Sequence, residues 1–499
     1  MADTITLRHW LILLTVQVTT VLFGITITST AVILPQMRGA LSATQDQIAW
    51  ILTFNLVATA IATPLTGWLS ERLGWRRLMT GSVVIFTAAS FGCGFVQSLD
   101  ALLLLRVVQG AAGAPIFPLG QTILLASFPR SHQAWALTMW GVGGVLGPIL
   151  GPTLGGIIGE WLSWRWIFFL MLPVGLAAGT LASLVLSDAR QGQLRRFDFL
   201  GFLFIAVAVG SAQLMADRGQ RLDWLESTEI VIELSLATVF FYLFVVHITT
   251  TRQALFDPAI FADRNFCLGV VVVMIMGMLQ YTPTVLFPPL LQDLRGYPDS
   301  MIGYLIAARG LGNFTAFFVV AQLTRRSPKL CLFAGLTVQA LGGLWMASLD
   351  INMTTADVFG SNLLHGIGFG LSYTPMTVLC FWTLPAHLLT QANAVFSLLR
   401  MIGSSLFISL TLVLFVQATA MADVALSSLI NPFEQGLLLP WTQALGEELG
   451  PRLQEQLGRE VRRQASMLGY VTAFQFLTLV ALFAAPLAFL FVTRPRAAH

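Results

Sequence analysis

The sequence predicts an all-α polytopic membrane protein with fourteen transmembrane helices, and three observations lead to this class. Hydrophobic residues make up 56% and charged residues only 10% of the 499 positions, and the mean hydropathy is +0.78. A water-soluble protein could not bury so much apolar surface. Fourteen apolar runs are long enough to cross a bilayer. One of them, at about 135–159, is rich in glycine and proline and carries no charge.

The apolar runs follow one another along the whole chain, and about 20 apolar residues suffice for one span. The first run is too long for a signal-peptide core and lacks a convincing cleavage site, which indicates an uncleaved first span. The predicted spans cover approximately 11–35, 49–70, 78–98, 100–122, 135–159, 165–186, 199–216, 229–250, 266–291, 301–321, 329–349, 355–380, 391–417 and 468–492.

The fourteen spans group most naturally as six, two and six. The turn Gly67–Arg77 after the second span has a similar but less complete counterpart at 322–329, after the tenth span. Such internal repeats are typical of proteins in which two similar halves rock around a midplane site. We therefore predict an N-terminal six-helix bundle over 1–186, two inserted transmembrane helices over 187–262, and a C-terminal six-helix bundle over 263–499.

Basic residues predict that both termini are cytoplasmic. Most arginines, including Arg8, Arg494 and Arg496 near the termini, fall in alternate loops on one side of the predicted bundle, and basic short loops stay in the cytoplasm. On the other side lies one long loop at 418–467, with the charge pattern of a short solvated amphipathic helix. That loop is too small for a soluble enzyme domain.

The charge balance and the cysteines exclude several classes of partner. A net charge of +3 implies neither a nucleic-acid nor an acidic partner. The four cysteines all lie in or at the edge of apolar runs, where they are expected to be small buried hydrophobes rather than a disulfide framework or a metal site. We expect no metal and no cofactor.

The glycine-rich run at 135–159 predicts a closely packed helix. In water each glycine would cost about 1 kcal/mol and each proline about 3 relative to alanine, but in a bilayer the backbone must stay helical. Glycines every four residues form one smooth face for another helix, and the prolines add bends on the adjoining face. We interpret it as a helix that a partner rocks against. The motif comprises Gly143, Gly147, Pro148, Gly151, Pro152, Gly155 and Gly156.

The turn after span two is predicted to be a cytoplasmic gate. Gly67 is expected to permit a close helix approach, and the charged side chains are expected to form an ion-pair latch with helix ends across the cytoplasmic cleft. Ordinary cytoplasmic anchoring would explain scattered arginines but not this glycine-spaced pattern. The gate residues are Gly67, Glu71, Arg72, Gly74, Arg76 and Arg77.

Buried polar residues outline a predicted proton and substrate path. Arg106 lies inside span four, where an arginine is costly and usually faces a cavity or a partner, although pinning helices through carbonyls is the alternative. His365 lies in mid-span and could titrate near neutrality, or be satisfied by a neighbouring helix. The path residues are Arg106, Gln109, Asn55, Arg309, His365 and Arg400.

Acidic residues are expected only at or near the ends of the spans. If Arg106 and Arg400 face a common cavity, that cavity should be positive, which favours neutral or anionic amphipathic substrates. An intramembrane enzyme is the least expected class, because no paired acids, nucleophile–base pair or metal cluster appears within the spans.

Three motifs in this order resemble the major facilitator superfamily, specifically its fourteen-span drug:proton antiporter branch, the EmrB type. Residues 67–78 resemble the signature loop between spans two and three, with Glu71 in place of the usual Asp. Residues 102–110 resemble the span-four motif, and 147–156 fit the antiporter motif of span five. Three further stretches also resemble this branch. They lie at 164–169, at 217–224 in the outer loop between the inserted spans, and at 431–433.

The resemblance implies a major facilitator fold and a multidrug efflux transporter of the inner membrane, working by alternating access. It also implies a role for Arg106 in proton transfer, proton antiport, and pairing with a periplasmic adaptor and an outer-membrane channel, for which the periplasmic loop 418–467 is a candidate contact. One departure concerns coupling, because Thr26 stands where the branch carries an Asp. The alternatives are an uncoupled facilitator, a metabolite exporter, or a membrane sensor without transport.

Overall fold

The computed structural model describes residues 5–187, 197–251, 255–385, 388–429 and 440–493. Within these ranges the regular structure is helical and contains no strand. The lipid offers no hydrogen-bond partner, so a spanning segment must satisfy its backbone groups internally, as a helix does. The all-α class predicted from composition is confirmed.

The helices follow the predicted spans, and several spans consist of two helices in sequence. In the N-terminal half they are α1 (Leu7–Val32), α2 (Leu34–Ala40), α3 (Gln45–Ala62), α4 (Leu65–Leu73), α5 (Trp75–Cys93), α6 (Leu99–Gly113), α7 (Ile116–Ser127), α8 (Arg130–Trp161) and α9 (Trp164–Val185).

The second part of the chain continues the same pattern. The inserted helices are α10 (Phe199–Arg218) and α11 (Thr228–Thr250), followed by α12 (Arg264–Pro289), α13 (Asp299–Arg326), α14 (Pro328–Ala347), α15 (Thr355–Phe381), α16 (Leu389–Leu429) and α17 (Pro440–Ala484). A π-helical turn, Leu290–Leu294, extends α12.

Proline explains two of the breaks. Pro64 separates α3 from α4, which are bent by 58° relative to each other, and Pro115 separates α6 from α7. Proline has no backbone N–H and its ring crowds the preceding turn, so a helix bends or ends there. The α3–α4 bend turns the chain into the basic turn predicted as a gate.

Each predicted span coincides with a helix or a pair of helices. Among the described residues, eleven helices are long and apolar enough to cross a membrane, and the bent pair α3–α4 would be a twelfth. The two other predicted spans fall on α5 and α8, which are helices of 19 and 32 residues. The chain is a multi-pass membrane protein, and the count of fourteen spans stays a prediction.

The predicted halves, 1–186 and 263–499, meet along two helix pairs. One face of α8 packs against α1 of its own half and another against α13 of the opposite half. On the other side of the interface, α3 packs against α16. The inserted α10 packs on α11 and also contacts both α3 and α16. The inserted pair therefore lies where the halves join.

The segment 418–467 is more helical than predicted. Instead of a loop with one short helix, α16 continues to Leu429 and α17 begins at Pro440. A helix that extends an existing span needs no new nucleation, which favours its continuation into solvent. Residues 430–439, with the motif at 431–433, lie outside the described part of the chain.

Candidate functional site

Arg106 is fully buried inside the N-terminal half. Its Nε donates to the carbonyl oxygen of Ile51 on α3 at 3.0 Å, and its Nη1 donates to Gln109 Oε1 one turn along α6. Gln109 Nε2 in turn donates to Ser90 Oγ on α5. The guanidinium is thereby bonded to α3 and to its own helix, and Gln109 connects it to α5; the contact with the Ile51 carbonyl is the alternative to a cavity that the sequence left open.

Asn55 belongs to the same cluster. Its Nδ2 donates to the Arg106 carbonyl oxygen at 3.0 Å, and α3 approaches α6 so closely that a Cβ at Gly110 would overlap the Asn55 carbonyl. Arg106 Nη2 has no hydrogen-bond partner among the described residues. The cluster therefore holds a cation with one nitrogen, carrying two N–H donors, that has no partner among the described residues.

A second cluster surrounds Arg309 in the C-terminal half. Arg309 on α13 donates through Nη1 to the Gln280 carbonyl oxygen at 3.0 Å and to Thr284 Oγ1 at 2.6 Å, both on α12. Its Nη2 donates to Asn362 Oδ1 on α15 at 2.8 Å. Its side chain is therefore positioned by two helices besides its own.

Arg400 shares a partner with Arg309. Its Nη1 donates to Gln280 Oε1 at 3.3 Å, and the phenols of Tyr281 and Tyr373 lie beside it. Gln280 thus accepts from both arginines, through its backbone oxygen and its side chain. All the hydrogen-bond acceptors described for the two guanidinium groups are uncharged. This arrangement gives the region a positive potential.

His365 lies next to the second cluster, three residues after Asn362 on α15. It is buried beside Arg309, and its Nδ1 has no hydrogen-bond partner among the described residues. The backbone of His365 also meets Gly342 on α14, where a Cβ would lie 2.9 Å away. Close packing therefore fixes the position of this histidine between α13 and α14.

A small cavity of about 10 Å³ lies between the halves, next to the second cluster around Arg309. Thr28, Leu52 and Leu56 line it from the N-terminal half, and Tyr281 and Thr284 from the C-terminal half. Because Thr284 bonds Arg309 and Tyr281 lies beside Arg400, the second cluster reaches the interface. The described partners of Arg106 all lie within its own half. The predicted path residues therefore form two clusters, of which one reaches the cavity.

The predicted gate turn differs in part from expectation. Nothing lies within 4 Å of a Cβ built at Gly67, so the predicted close approach at that glycine is wrong in this conformation. Gly74 is the position that requires glycine, because its φ of +81° lies in the left-handed region. Arg72 lies over the Trp68 ring, 4.6 Å from its centroid, while Glu71 is half-buried and Arg76 exposed. The ion-pair latch stays a prediction.

The glycine face of α8 packs against α1. A Cβ at Gly147 would lie 2.8 Å from Gly24 Cα, and one at Gly155 would lie 2.8 Å from the Ser29 carbonyl oxygen. Gly143 faces Gln17 and Gly151 faces Thr28 in the same way. The partner of this face therefore belongs to the same half. The side chain of Pro148 lies outside the described residues.

The adjoining face of α8 meets the opposite half. A Cβ at Gly156 would overlap the Asp299 carbonyl oxygen, and one at Gly303 would overlap that of Pro152. Only hydrogen atoms fit between the two backbones at these points. It is this second face, rather than the four-residue glycine repeat, that can rock against a moving partner.

Polar contacts close one end of the interface, which we call the closed end and define by Arg38, Glu160, Asp293 and Asp299. Arg38 and Asp293 form a two-pronged ion pair at 2.8 and 3.0 Å. Gln36 donates to the Asp299 carboxylate, and the Ser300 N–H donates to Glu160 Oε2 at 3.0 Å. Each contact joins the N-terminal half to the C-terminal half.

One acid near the end of a span is buried, which the sequence analysis did not anticipate. Asp217, predicted to lie in the loop between the inserted spans, belongs to α10 and is 8% exposed. It accepts from Thr53 Oγ1 at 3.0 Å and Gln213 Nε2 at 2.8 Å, and from Ser409 Oγ. The spacing of Gln213 and Asp217, one helical turn apart, was the only signal for this cluster in the sequence.

The side chain of Thr26 is buried away from water inside the N-terminal half. Its hydroxyl donates to the Leu22 carbonyl oxygen at 2.8 Å and contacts the Met171 sulfur at 3.3 Å. The side chain is 1% exposed. Thr26 therefore supplies neither a charge nor a titratable proton at this position.

Comparisons with known proteins agree with this architecture. The profile described as Major Facilitator Superfamily matches residues 17–408. The multidrug export protein EmrB of Haemophilus influenzae is 31% identical over 429 residues, which cover 85% of this chain and 84% of that protein. The fatty acid resistance protein FarB of Neisseria gonorrhoeae is 29% identical, with 81% and 80% covered.

A solved structure shares the fold at low sequence identity. It is a bacterial homolog of the human lysosomal transporter Spinster, in an inward-facing and unoccupied conformation. The TM-score is 0.63 at 17% identity, and the match covers 99% of this chain and 100% of that one.

Proposed function

The chain belongs to the Major Facilitator Superfamily and is a multidrug efflux transporter, and we propose that it exports hydrophobic neutral or anionic compounds by proton-coupled alternating access. The observation that carries the substrate class is the pair Arg309 and Arg400, joined through Gln280 beside the cavity between the halves. An anionic group entering there would meet two cations whose described partners are neutral.

Alternating access is supported by the arrangement of the interface. The closed end lies on the side that the basic-residue pattern assigns to the periplasm, and the gate turn lies on the opposite side. In this conformation the polar contacts at the closed end seal the outer side. We propose that the turn 67–77 forms its latch when these contacts break and the other end closes.

The substrate class also agrees with the relatives. FarB is named for fatty acid resistance, and a fatty acid is an apolar chain with one carboxylate. In this chain, Tyr281 and Tyr373 lie beside Arg400, so an apolar surface adjoins the cation. We propose that aromatic rings hold the apolar body of a substrate while a guanidinium holds its anionic end.

An uncoupled facilitator is the second candidate, and a specific observation favours it. Thr26 stands in place of the carboxylate expected in the first span, and its hydroxyl is already bonded within its own helix. Proton coupling therefore requires another titratable group.

The cellular setting follows from the same reasoning. We propose an inner-membrane location with both termini in the cytoplasm, and export through a periplasmic adaptor and an outer-membrane channel. Support comes from the asymmetry of basic residues and from α17, whose charged N-terminal part extends beyond the predicted last span.

Transport into proteoliposomes tests the proposal. A lipophilic anionic dye should accumulate in vesicles with an acidic lumen, and only equilibrate when the pH is equal on both sides. Arg400→Gln should raise the KM for the anionic dye about tenfold, since a hydrogen bond to a charged group contributes about 1.5–3 kcal/mol, and leave transport of a neutral dye unchanged.

Arg295→Gln serves as the matched control, because Arg295 binds the Ile351 carbonyl oxygen at the closed end rather than the cavity. Equilibration without accumulation would establish the facilitator instead. An equal loss for both dyes in Arg400→Gln would contradict the anion site.

A further inference from the structure

Asp217 lies at a junction of three parts of the molecule. Its carboxylate, on the inserted helix α10, accepts from Thr53 of the N-terminal half and from Ser409 of the C-terminal half. Gln213, one turn earlier on α10, donates to both Asp217 at 2.8 Å and Ser409 at 3.0 Å. One buried acid therefore links the inserted pair to both halves at once.

These bonds depend on contact between α3 and α16. Ser405, one turn before Ser409, donates to the Thr53 carbonyl oxygen at 3.4 Å, so the two helices meet directly at this level. In the proposed cycle, opening the closed end separates α3 from α16, which form the second helix pair between the halves. Once the two helices have separated, Asp217 can no longer accept hydrogen bonds from both Thr53 and Ser409.

The protonation state of Asp217 should follow this movement. A carboxylate shielded from water is costly unless donors satisfy it, and three side-chain donors stabilise its ionised form. When the separation removes one or two donors, the neutral acid becomes the favoured form. Separation of the halves and proton binding at Asp217 are then linked.

Two charged groups next to Asp217 in the chain, Arg218 and Arg221, have described partners on the packed elements. Arg218 pairs with Glu229 and Glu233 of α11, and Arg221 lies over the Trp50 ring of α3 at 5.2 Å. The remaining charged residues there are Asp223 in the following turn, Asp46 on α3, whose side chain lies outside the described residues, and Arg400 and Asp423 on α16.

We propose that Asp217 is the proton-binding group of the inserted helix pair, an inference that rests on the proposed proton-coupled export. It takes one proton from the outer solution when α3 and α16 separate, and gives that proton up when they close and the three donors return. For the release of the proton we assign the cavity between the halves, which is lined by Leu52 and Ile408, the residues that precede Thr53 and Ser409 in the chain. This direction of proton movement is that of an antiporter, and Asp217 takes the place of the acid that Thr26 lacks.

Cross-linking at the closed end tests the linkage without substrate. With Arg38→Cys and Asp293→Cys in a Cys267→Ser background, a short bifunctional thiol reagent should join the halves at pH 8 and progressively less as the pH falls. The thiolate fraction of the two cysteines falls with pH in every variant, so Asp217→Asn should leave only that shared decline and remove the additional pH dependence. The matched control is Glu233→Gln, a buried acid on the same inserted pair whose described partner is Arg218, and it should keep the wild-type pH dependence.

Two milder variants keep the test informative if Asp217→Asn fails to fold. Thr53→Val and Ser409→Ala each remove one donor but keep the acid, so proton binding should become easier. The midpoint of the cross-linking curve should move to higher pH by about one unit in each. Unchanged midpoints in both variants would overturn the proposal.

Dye transport separates this inference from the proposed function. Gradient-driven accumulation by the wild type, lost in Asp217→Asn while equal-pH exchange persists, supports both. Accumulation that survives in Asp217→Asn leaves the transporter proton-coupled and overturns the role of Asp217. If the wild type neither accumulates dye nor shows pH-dependent cross-linking beyond that shared decline, proton coupling itself is overturned, and the role of Asp217 with it.

Discussion

At the scale of single residues, the buried arginines are the most informative side chains. Each is surrounded by uncharged acceptors: Arg106 by a carbonyl and Gln109, Arg309 by a carbonyl, Thr284 and Asn362. A buried cation is costly, so these acceptors stabilise it without removing its charge. The two arginines nevertheless differ in position, since the neighbours of Arg309 reach the interface between the halves and the described contacts of Arg106 do not.

Arg106→Ala should reduce dye transport at least about tenfold while folded protein remains in the membrane. The change removes the donors to Ile51 and Gln109, and each bond to a charged group contributes about 1.5–3 kcal/mol, so at least a tenfold loss of rate is expected. Transport is measured per folded molecule, determined by size-exclusion chromatography of purified protein. Arg106→Lys should also fail, because lysine keeps the charge but lacks the planar fork. Undiminished flux in Arg106→Ala would remove this residue from the mechanism.

At the scale of helices, α8 shows how a sequence that would not be helical in water becomes a closely packed helix of the bundle. Its glycine repeat lets the backbones of α8 and α1 come into contact, and its second face does the same with α13. Small residues at helix interfaces are how membrane helices gain packing energy where no hydrophobic effect drives association. The first contact stays within one half, and the second spans the surface between the halves.

Gly147→Ala should destabilise the protein in detergent, because the new Cβ would lie 2.8 Å from the Gly24 backbone, which has no flexible atom to yield. Overpacking of this kind costs about 1–3 kcal/mol, so the thermal unfolding midpoint should fall by several degrees. Gly144→Ala, three residues away on the same helix, is the control, since its Cβ would meet only the Phe117 ring at 3.8 Å. Equal midpoints for the two variants would show that α1 and α8 are not held this closely.

Exposed charges on α17 test the proposed adaptor contact. Glu455 and Arg459 form an exposed pair one turn apart, and such pairs contribute little to stability. Replacing both with alanine should leave transport by purified protein unchanged but reduce export by intact cells. Arg463→Ala is the contrasting variant, because Arg463 donates to the Leu294 carbonyl oxygen at the closed end, and it should affect both assays. Full export by cells carrying the double variant would count against an adaptor at this site.

At the scale of the whole molecule, we interpret the structure as one state of the proposed alternating-access cycle. The closed end joins the halves through an ion pair and several hydrogen bonds, so only one side of the membrane is sealed by them. Because the ion pair is about one third exposed, it contributes at most about 1 kcal/mol. A contact of that strength can close an end and still allow it to open during transport.

Reversing one charge at the closed end should shift the balance between the two states. Arg38→Asp would place two carboxylates opposite each other, and Val285, which lines a cavity beside Arg38, should become accessible. In a Cys267→Ser background, Val285→Cys should then react faster with a membrane-impermeant maleimide. Adding Asp293→Arg restores the pair and should restore slow labelling. A labelling rate that neither change alters would show that the ion pair does not hold this end closed.

The sequence by itself determined the fold class and the positions of the helices. A bilayer leaves an apolar segment no alternative to a helix, so counting apolar runs located the helices without knowledge of their neighbours. The glycine repeat of α8 and the pair Arg106 and Gln109 were also visible, because residues three or four apart share a helix face.

Only the tertiary structure decided which faces meet. It showed that the glycine repeat packs on α1 of the same half, and that Gly67 makes no close approach. It also placed Asp217, at the end of an inserted span, against both halves. Such contacts join residues up to hundreds of positions apart, as Thr53, Asp217 and Ser409 are, and helical periodicity carries no information about them. Packing of separate helices sets these contacts, and with them the charge and the closure of the site.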